Sequence, residues 1–187
     1  MEYAIAAMVV AVALAAAWRL RGGVGVVASA PWTDFRAPAV AGWAATRRED
    51  SGPALGLQVG YRAPDVGLVA TLYVYLRDEQ GVSRDEALLL RELARVEEGL
   101  RSAVAAGMWE ASKTVSAPAG AAFGGARWLR QRFSVTRRGK ELFSEAWVTT
   151  HRAFYVKVRA TYDLGMTGPA VTRVGALVEA VGAATTA

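Results

Sequence analysis

The sequence predicts an α+β domain in which an antiparallel β-sheet packs against two main α-helices. Several short runs alternate apolar and polar residues, which is the period of a strand with one buried face. Two longer runs space their apolar residues three and four positions apart, as on one face of a helix. The runs follow the order β-β-β-helix-β-β-β-β-helix. Strands grouped in this way between helices are typical of an antiparallel sheet covered by helices.

The composition restricts the classes of function. With 187 residues, the chain suits one domain and an N-terminal appendage. It contains no cysteine, which excludes disulfides, thiolate catalysis and attachment through a lipid-modified cysteine. Its 22 Lys and Arg exceed its 17 Asp and Glu, so the net charge is +5. This excess suits an anionic partner, although it is also common in proteins that have none.

An unbroken apolar run at residues 4–17 precedes the domain and predicts an N-terminal helix. It is shorter than the roughly 20 residues that span a membrane, and it suits the core of a signal peptide. We therefore divide the chain into residues 1–30, a signal peptide or membrane anchor with a linker, and residues 31–187, a single α+β domain. A cleaved signal predicts a location in the periplasm or cell envelope.

Two alternatives remain for the same run. An uncleaved anchor would leave the chain in the inner membrane, associated through residues 4–17, with Arg19 and Arg21 on the cytoplasmic side. An alanine-rich helix of a soluble protein would have the same composition.

The first strands of the domain are predicted from alternation and turn residues. Residues 35–43 predict a short edge strand, because proline is tolerated at sheet edges. Residues 47–53 are charged and predict a turn. Residues 55–61 and Leu68–Leu76 then form a hairpin. The second of these strands is apolar on both faces, which indicates a central position in the sheet.

A capping box at Ser83 and Glu86 predicts the start of a long helix that ends at Gly107. Its apolar stripe consists of Leu89, Leu93, Val96, Leu100 and Val104. The side opposite this stripe carries charges, among them Glu92, and is predicted to face solvent.

The second half of the domain predicts four strands and a closing helix. A strand at residues 108–115 leads into a glycine-rich segment at residues 116–125. This segment lacks the Gly-Lys-Ser/Thr ending of a phosphate-binding loop and precedes a strand, so a flexible connector is predicted. The remaining elements are strands at residues 127–136, 141–150 and 154–162, a hairpin turn at residues 137–140, and a helix that begins near Pro169 and frays over residues 183–187.

Along the chain, Phe35…Pro38…Gly42-Trp43 is followed by the first hairpin, the long helix, the second hairpin and residues 154–159. This arrangement resembles the PsbP/Mog1/LpqN type of α/β/α sandwich. The sequence also resembles small exported proteobacterial proteins. The resemblance implies a non-enzymatic accessory or ligand-binding domain in an envelope or lumenal compartment. It supplies no shared catalytic set, so it implies no functional residue, and this chain lacks the cysteine that anchors the lipoprotein relatives.

The residues do not indicate a catalytic or metal site. His151 is the only histidine and falls in a predicted turn, and no nucleophile-elbow motif is present. One histidine without cysteine or a calcium-loop pattern does not supply a metal site, and no cofactor is expected. The alternative is a hydrolase or transferase of undetected type, and a carboxylate-only hydrolase would use Glu141 and Glu145.

Basic residues in the last strands predict an anion-binding face. The residues are Arg130, Arg132, Tyr155, Lys157 and Arg159. If the strands are neighbours with these faces aligned, the tyrosine would lie among cations and bind an unknown protein or a small anionic ligand. Nucleic acid is not the expected partner of an exported domain, although a cytosolic basic interaction module would bind through the same residues. A solvated sheet face without a partner is the other interpretation.

The exposure of this face leads to one further expectation. If Lys157 and Arg159 point to solvent, their replacement by glutamate should leave folding intact and weaken an anionic partner.

Overall fold

The computed structural model of the chain describes Trp32 and residues 35–51, 56–76 and 86–186. The predicted signal or anchor at residues 4–17 and the boundary near residue 30 lie outside the described residues. The same holds for Ser83 of the capping box.

Eight strands and two long helices form the described part of the chain. The strands are β1 (Ala44–Asp50), β2 (Leu57–Ala63), β3 (Leu68–Leu76), β4 (Ala111–Thr114), β5 (Ala119–Phe123), β6 (Ala126–Arg137), β7 (Lys140–His151) and β8 (Phe154–Asp163). The helices are α1 (Glu86–Ala105) and α2 (Thr167–Thr186). Short 3-10 helices at Pro64–Val66 and Leu164–Met166 follow β2 and β8. The predicted α+β class is confirmed.

All strand pairs in the sheet are antiparallel, and the order is β1-β2-β3-β8-β7-β6-β4. Strand β6 is long enough to pair with β4 along one part of its edge and with β5 along the other. The last strand, β8, lies between β3 and β7 and joins the two halves of the chain. The strands predicted at residues 141–150 and 154–162 therefore form the sheet centre.

Helix α2 and the chain before β1 pack on one face of the sheet. The inward side of β8, predicted from alternation, is buried against α2. The irregular segment before β1 is held on the same face, because the indole N–H of Trp43 donates to the carbonyl of Arg173 at 3.1 Å. The phenol of Tyr61 likewise donates to the carbonyl of Pro38 at 3.1 Å.

Helix α1 packs on the opposite face, mainly over β4, β6 and β7. Its predicted apolar stripe is buried except at Val104, which is partly exposed. The helix also reaches β3 at Tyr75, which donates a hydrogen bond to Glu92. Among the described residues on this side, Val69 and Thr71 of β3 stay partly exposed and Arg62 of β2 is exposed.

The first edge strand is β1 rather than residues 35–43, so the prediction of a turn at residues 47–53 is wrong for residues 47–50. Arg47, Arg48 and Glu49 pair with β2 in an antiparallel register. Charged side chains are compatible with an edge strand because one side faces water, and they discourage pairing with another chain. The charged residues 47–50 therefore did not distinguish a turn from an edge strand.

The glycine-rich segment at residues 116–125 is not a flexible connector. Its residues from Ala119 to Phe123 form β5 and pair with β6. Alanine and glycine show no apolar alternation, so the strand has no sequence signal. Gly124 and Gly125 then turn the chain with φ angles of 57° and 75°.

Helix α2 extends to Thr186 and does not fray after residue 183. Its last turn contacts the β5–β6 turn, because the hydroxyl of Thr186 donates to the carbonyl of Gly124 at 3.2 Å. Gly182 lies against the same turn, where a Cβ atom would clash with the carbonyl oxygen of Phe123. Helix and turn therefore meet backbone to backbone.

Two buried tryptophans differ in how their indole N–H is paired. The N–H of Trp128, a residue 0% exposed, donates to the carbonyl of Phe123 at 3.2 Å. That of Trp109, a residue 7% exposed, has no hydrogen-bond partner among the described residues. We expect Trp128→Phe to lower the free energy of unfolding by about 1–3 kcal/mol more than Trp109→Phe, because only Trp128→Phe removes the donor of a hydrogen bond, that to the carbonyl of Phe123. Urea denaturation of both variants measures this, and equal losses would refute the assignment.

Candidate functional site

The five basic and aromatic residues predicted to share one face lie on opposite faces of the sheet. Strand β7 separates β6 from β8, so the strands that carry them are not neighbours. Arg130 pairs with Trp147, which in turn pairs with Val158 on the face covered by α2. Lys157 pairs with Val148 on the other face. The prediction of a single cationic surface is therefore wrong.

On the α2 side, Arg130 and Arg132 converge on Glu145, whose side chain is 0% exposed. A terminal nitrogen of Arg130 lies 2.8 Å from Oε1 of Glu145, and a terminal nitrogen of Arg132 lies 2.7 Å from the same oxygen. The hydroxyl of Tyr162 donates to that oxygen at 2.5 Å, and the indole N–H of Trp147 donates to Oε2 at 3.2 Å. We call these five residues the Glu145 cluster.

The pKa values in the Glu145 cluster show which groups hold charge. Burial alone would raise the pKa of Glu145, but the hydrogen bonds from Tyr162, Arg130 and Arg132 outweigh it and lower that pKa. Burial and the hydrogen bond to Glu145 raise the pKa of Tyr162. At neutral pH the cluster therefore contains an ionised carboxylate, two guanidiniums and a neutral phenol.

On the α1 side, Lys157 and Tyr155 are buried rather than solvent-facing, at 9% and 3% exposure. The ammonium of Lys157 lies 2.9 Å from Oε1 of Glu92, a residue of α1 that is 2% exposed. Tyr75 donates a hydrogen bond to the same oxygen. Glu92, predicted to face solvent, is thus the counter-ion of a buried lysine.

The environment of Lys157 also corrects the expected behaviour of the Lys157→Glu, Arg159→Glu double variant. Lys157 lies 5.2 Å from the ring centre of Tyr73 and 4.9 Å from that of Tyr75. A glutamate there would face Glu92 across an apolar, aromatic environment. The double variant is therefore expected to destabilise the fold, which makes it unsuitable as a probe of binding.

A polar part of the α1-side surface stays partly exposed, and we call it the open face. It is built from Arg62 on β2, Val69 and Thr71 on β3, Arg159 and Thr161 on β8 and Ser144 on β7. The register places these side chains together: Arg62 lies opposite Val69, which lies opposite Thr161, while Thr71 lies opposite Arg159. Ser144 itself is buried beneath this surface.

Arg159 lacks an acidic partner within the described residues. Its Nε donates to the hydroxyl of Ser144 at 3.2 Å, and no ion pair is formed by its two terminal nitrogens. Burial lowers the pKa of Arg159, while the phenol of Tyr73 partly offsets this effect. An arginine stays protonated in proteins, so the site keeps a positive charge without a counter-ion.

Two acidic residues on this side of the sheet, Glu49 and Asp163, are already paired. Glu49 lies 2.7 Å from Arg47, and Asp163 lies 2.8 Å from Lys140. Arg62, exposed on β2, also forms no ion pair in the part of the chain that the structure describes. The open face is therefore positively charged, although it retains only Arg159 of the five residues predicted from sequence.

His151 lies at the end of β7 and is partly exposed. Partial burial and the neighbouring Arg152 lower its pKa, although a hydrogen bond to the backbone of Thr185 acts in the opposite sense. Within the described residues, no group of three or more His, Asp or Glu side chains could hold a metal ion. Among the described helices, none has the length and hydropathy of a membrane span.

Comparison with known proteins identifies distant structural similarities. No protein-family model and no curated protein matched the chain. Among solved structures, cyanobacterial PsbP (CyanoP) of Synechocystis sp. PCC 6803 is 12% identical with a TM-score of 0.49, covering 83% of this chain and 96% of that protein. LpqN of Mycobacterium tuberculosis, involved in cell envelope biogenesis, is 14% identical with a TM-score of 0.43, covering 76% and 78%.

A third similar structure is PA94 of Pseudomonas aeruginosa, a protein of unknown function. It is 13% identical with a TM-score of 0.41, covering 80% of this chain and 83% of that protein. PsbP and LpqN are also the names given by the sequence resemblance. At these identities and TM-scores, the properties of the three proteins do not transfer to this chain.

Proposed function

We propose that the chain is an exported, non-catalytic binding domain whose open face receives an anionic partner protein. The observation that carries this proposal is the guanidinium of Arg159, which is partly buried without a carboxylate partner in the described structure. The other buried charges, Glu145, Glu92 and Lys157, all have counter-ions. A surface cation that has no counter-ion in the free protein gains one when a partner supplies the negative charge.

The arrangement of the carboxylates supports a non-catalytic role. A general acid needs a raised pKa, whereas the pKa of Glu145 is lowered by its arginine and tyrosine partners. Glu141 and Glu145, the pair considered for a hydrolase, lie four residues apart on β7. The two carboxylates are engaged separately, because Glu141 accepts a hydrogen bond from Ser134 whereas Glu145 is held by Arg130 and Arg132.

The apolar run at residues 4–17 supports export. Fractionation of cells that express the chain with a C-terminal epitope tag tests this part of the proposal. We expect the tag in the periplasmic or membrane fraction. Intact full-length protein in the soluble cytoplasm would contradict export and would favour the cytosolic interaction module.

Site-specific photo-crosslinking tests the position of the docking surface. A photoreactive amino acid replaces Val69 on the open face in one strain and Thr172, exposed on α2, in a matched control strain. We expect crosslinked adducts from position 69, and we expect high salt during irradiation to reduce them because charges attract the partner. Adducts at equal yield from both positions, or from position 172 alone, would contradict the proposal.

A further inference from the structure

We infer that Arg159 forms a subsite for one carboxylate group on an acidic segment of the partner protein. The inference rests on the proposed function and adds the chemistry of recognition at one residue. The Nε of Arg159 is held by the hydroxyl of Ser144, which fixes the guanidinium against β7. Its two terminal nitrogens have no hydrogen-bond partner among the described residues.

A planar guanidinium fork matches a carboxylate, because two parallel N–H groups can donate to its two oxygens. The subsite also offers hydroxyls for the remaining lone pairs. Thr71 lies directly across from Arg159 on β3, and Thr161 follows two residues later on the same face of β8. Neither hydroxyl donates a hydrogen bond within the described residues.

The energetics favour a partner that brings its own negative charge. Burial makes the unpaired cation costly, as the lowered pKa of Arg159 indicates. A carboxylate at the terminal nitrogens would convert an uncompensated charge into a hydrogen-bonded pair. The partly exposed position keeps this subsite accessible without unfolding of α1.

The shape of the open face favours a peptide segment over a free ion. Arg62 and Arg159 are separated by β3, so their strands lie about 10 Å apart. A segment with two acidic side chains can reach both cations and can also contact Val69 between them. A small ion would reach only one of the two cations, so it would lack the second ion pair and the contact with Val69.

Titration with a hexaglutamate peptide, followed by NMR on the isotope-labelled full chain, tests the subsite. We expect saturable shifts of the Nε–H signal of Arg159 and of the amides of Thr71 and Thr161, whereas a hexaglutamine peptide should cause none. Arg159→Gln should weaken the affinity about tenfold or more, because it removes a charged bidentate contact. Arg101→Gln, on the outer side of α1, should leave the affinity unchanged.

Two further measurements keep the result interpretable. Arg159→Lys keeps the charge and loses the fork, so an affinity between those of wild type and Arg159→Gln is expected. Circular dichroism and the thermal midpoint establish that both variants fold. Wild-type affinity in Arg159→Gln, or in folded Arg159→Lys, would overturn the bidentate subsite.

Other outcomes separate this inference from the proposed function. If inorganic phosphate displaces the peptide at similar concentrations, the site binds small anions and the peptide assignment is wrong. If Arg159→Gln leaves the salt-sensitive crosslinks from position 69 intact, the open face remains the docking surface while the carboxylate subsite fails. Loss of these crosslinks in Arg159→Gln, together with lost peptide binding, supports both.

Discussion

Glu145→Gln is expected to lower the free energy of unfolding by about 3–5 kcal/mol, the cost of removing one partner from a buried ion pair. Glutamine keeps the length of the side chain but leaves the guanidiniums of Arg130 and Arg132 without a counter-charge. Urea denaturation at pH 7 measures the loss. Glu141→Gln, at an exposed position of the same strand, should change stability by less than about 1 kcal/mol.

The loss in Glu145→Gln should depend on pH in a defined direction. Because the folded-state pKa of Glu145 is below its ordinary value, its contribution is complete above the unfolded pKa of about 4.3. It disappears as pH falls through the lower, folded-state pKa. The difference in unfolding free energy between wild type and Glu145→Gln should therefore narrow below about pH 4. A constant difference from pH 7 to pH 3 would show that the carboxylate charge is not what stabilises the cluster.

Gly182→Ala is expected to destabilise the fold by about 1–3 kcal/mol or more, the usual cost of forcing atoms into a packed interior. A Cβ atom at position 182 would clash with the carbonyl oxygen of Phe123 and lie 3.1 Å from the Cα of Gly124. These atoms belong to a backbone turn and cannot rotate away. The end of α2 would have to move from the sheet.

Gly175→Ala is the matched control for this prediction. Position 175 lies in the same helix, and a Cβ atom there would meet nothing within 4 Å. Alanine favours the helix over glycine by about 1 kcal/mol, so this variant should be more stable than wild type. Thermal and urea denaturation compare the two variants. Stabilisation by both would show that the contact at Gly182 can relax.

The sequence predicted those elements whose side chains alternate in polarity. Leu68–Leu76 was predicted with its observed bounds, because its flanking turn residues and apolar faces are both strong local signals. Strand β5 was missed because pairing with β6, and not its own alanines and glycine, makes it a strand. Strand β1 was missed because its charges suit an edge as well as a turn.

The binding surface was harder to predict because it depends on strand order. Alternation shows that Lys157 and Arg159 share a side of β8, but it does not show which side a helix covers. Helix α1 covers Lys157 and leaves Arg159 partly exposed. Arg62 joins Arg159 only through the pairing of β2, β3 and β8, which no local pattern encodes.

One signal for the buried charges was present in the sequence. Glu145 stands between Phe143 and Trp147 on the same side of β7. An acid at an apolar position of a strand is expected to be paired when buried, and two arginines occupy the facing side of β6. Glu92 similarly lies beside Leu93 and Val96 on α1.

The place of β8 between β3 and β7 has a consequence for how the chain is made. A nascent chain that ends before Phe154 has two apolar strand edges, β3 and β7, with nothing to pair with. Neither half of the sheet can be completed until the last strand emerges from the ribosome. Both edges therefore stay open until residues 154–163 have been synthesised, and until then they need protection from pairing with other chains.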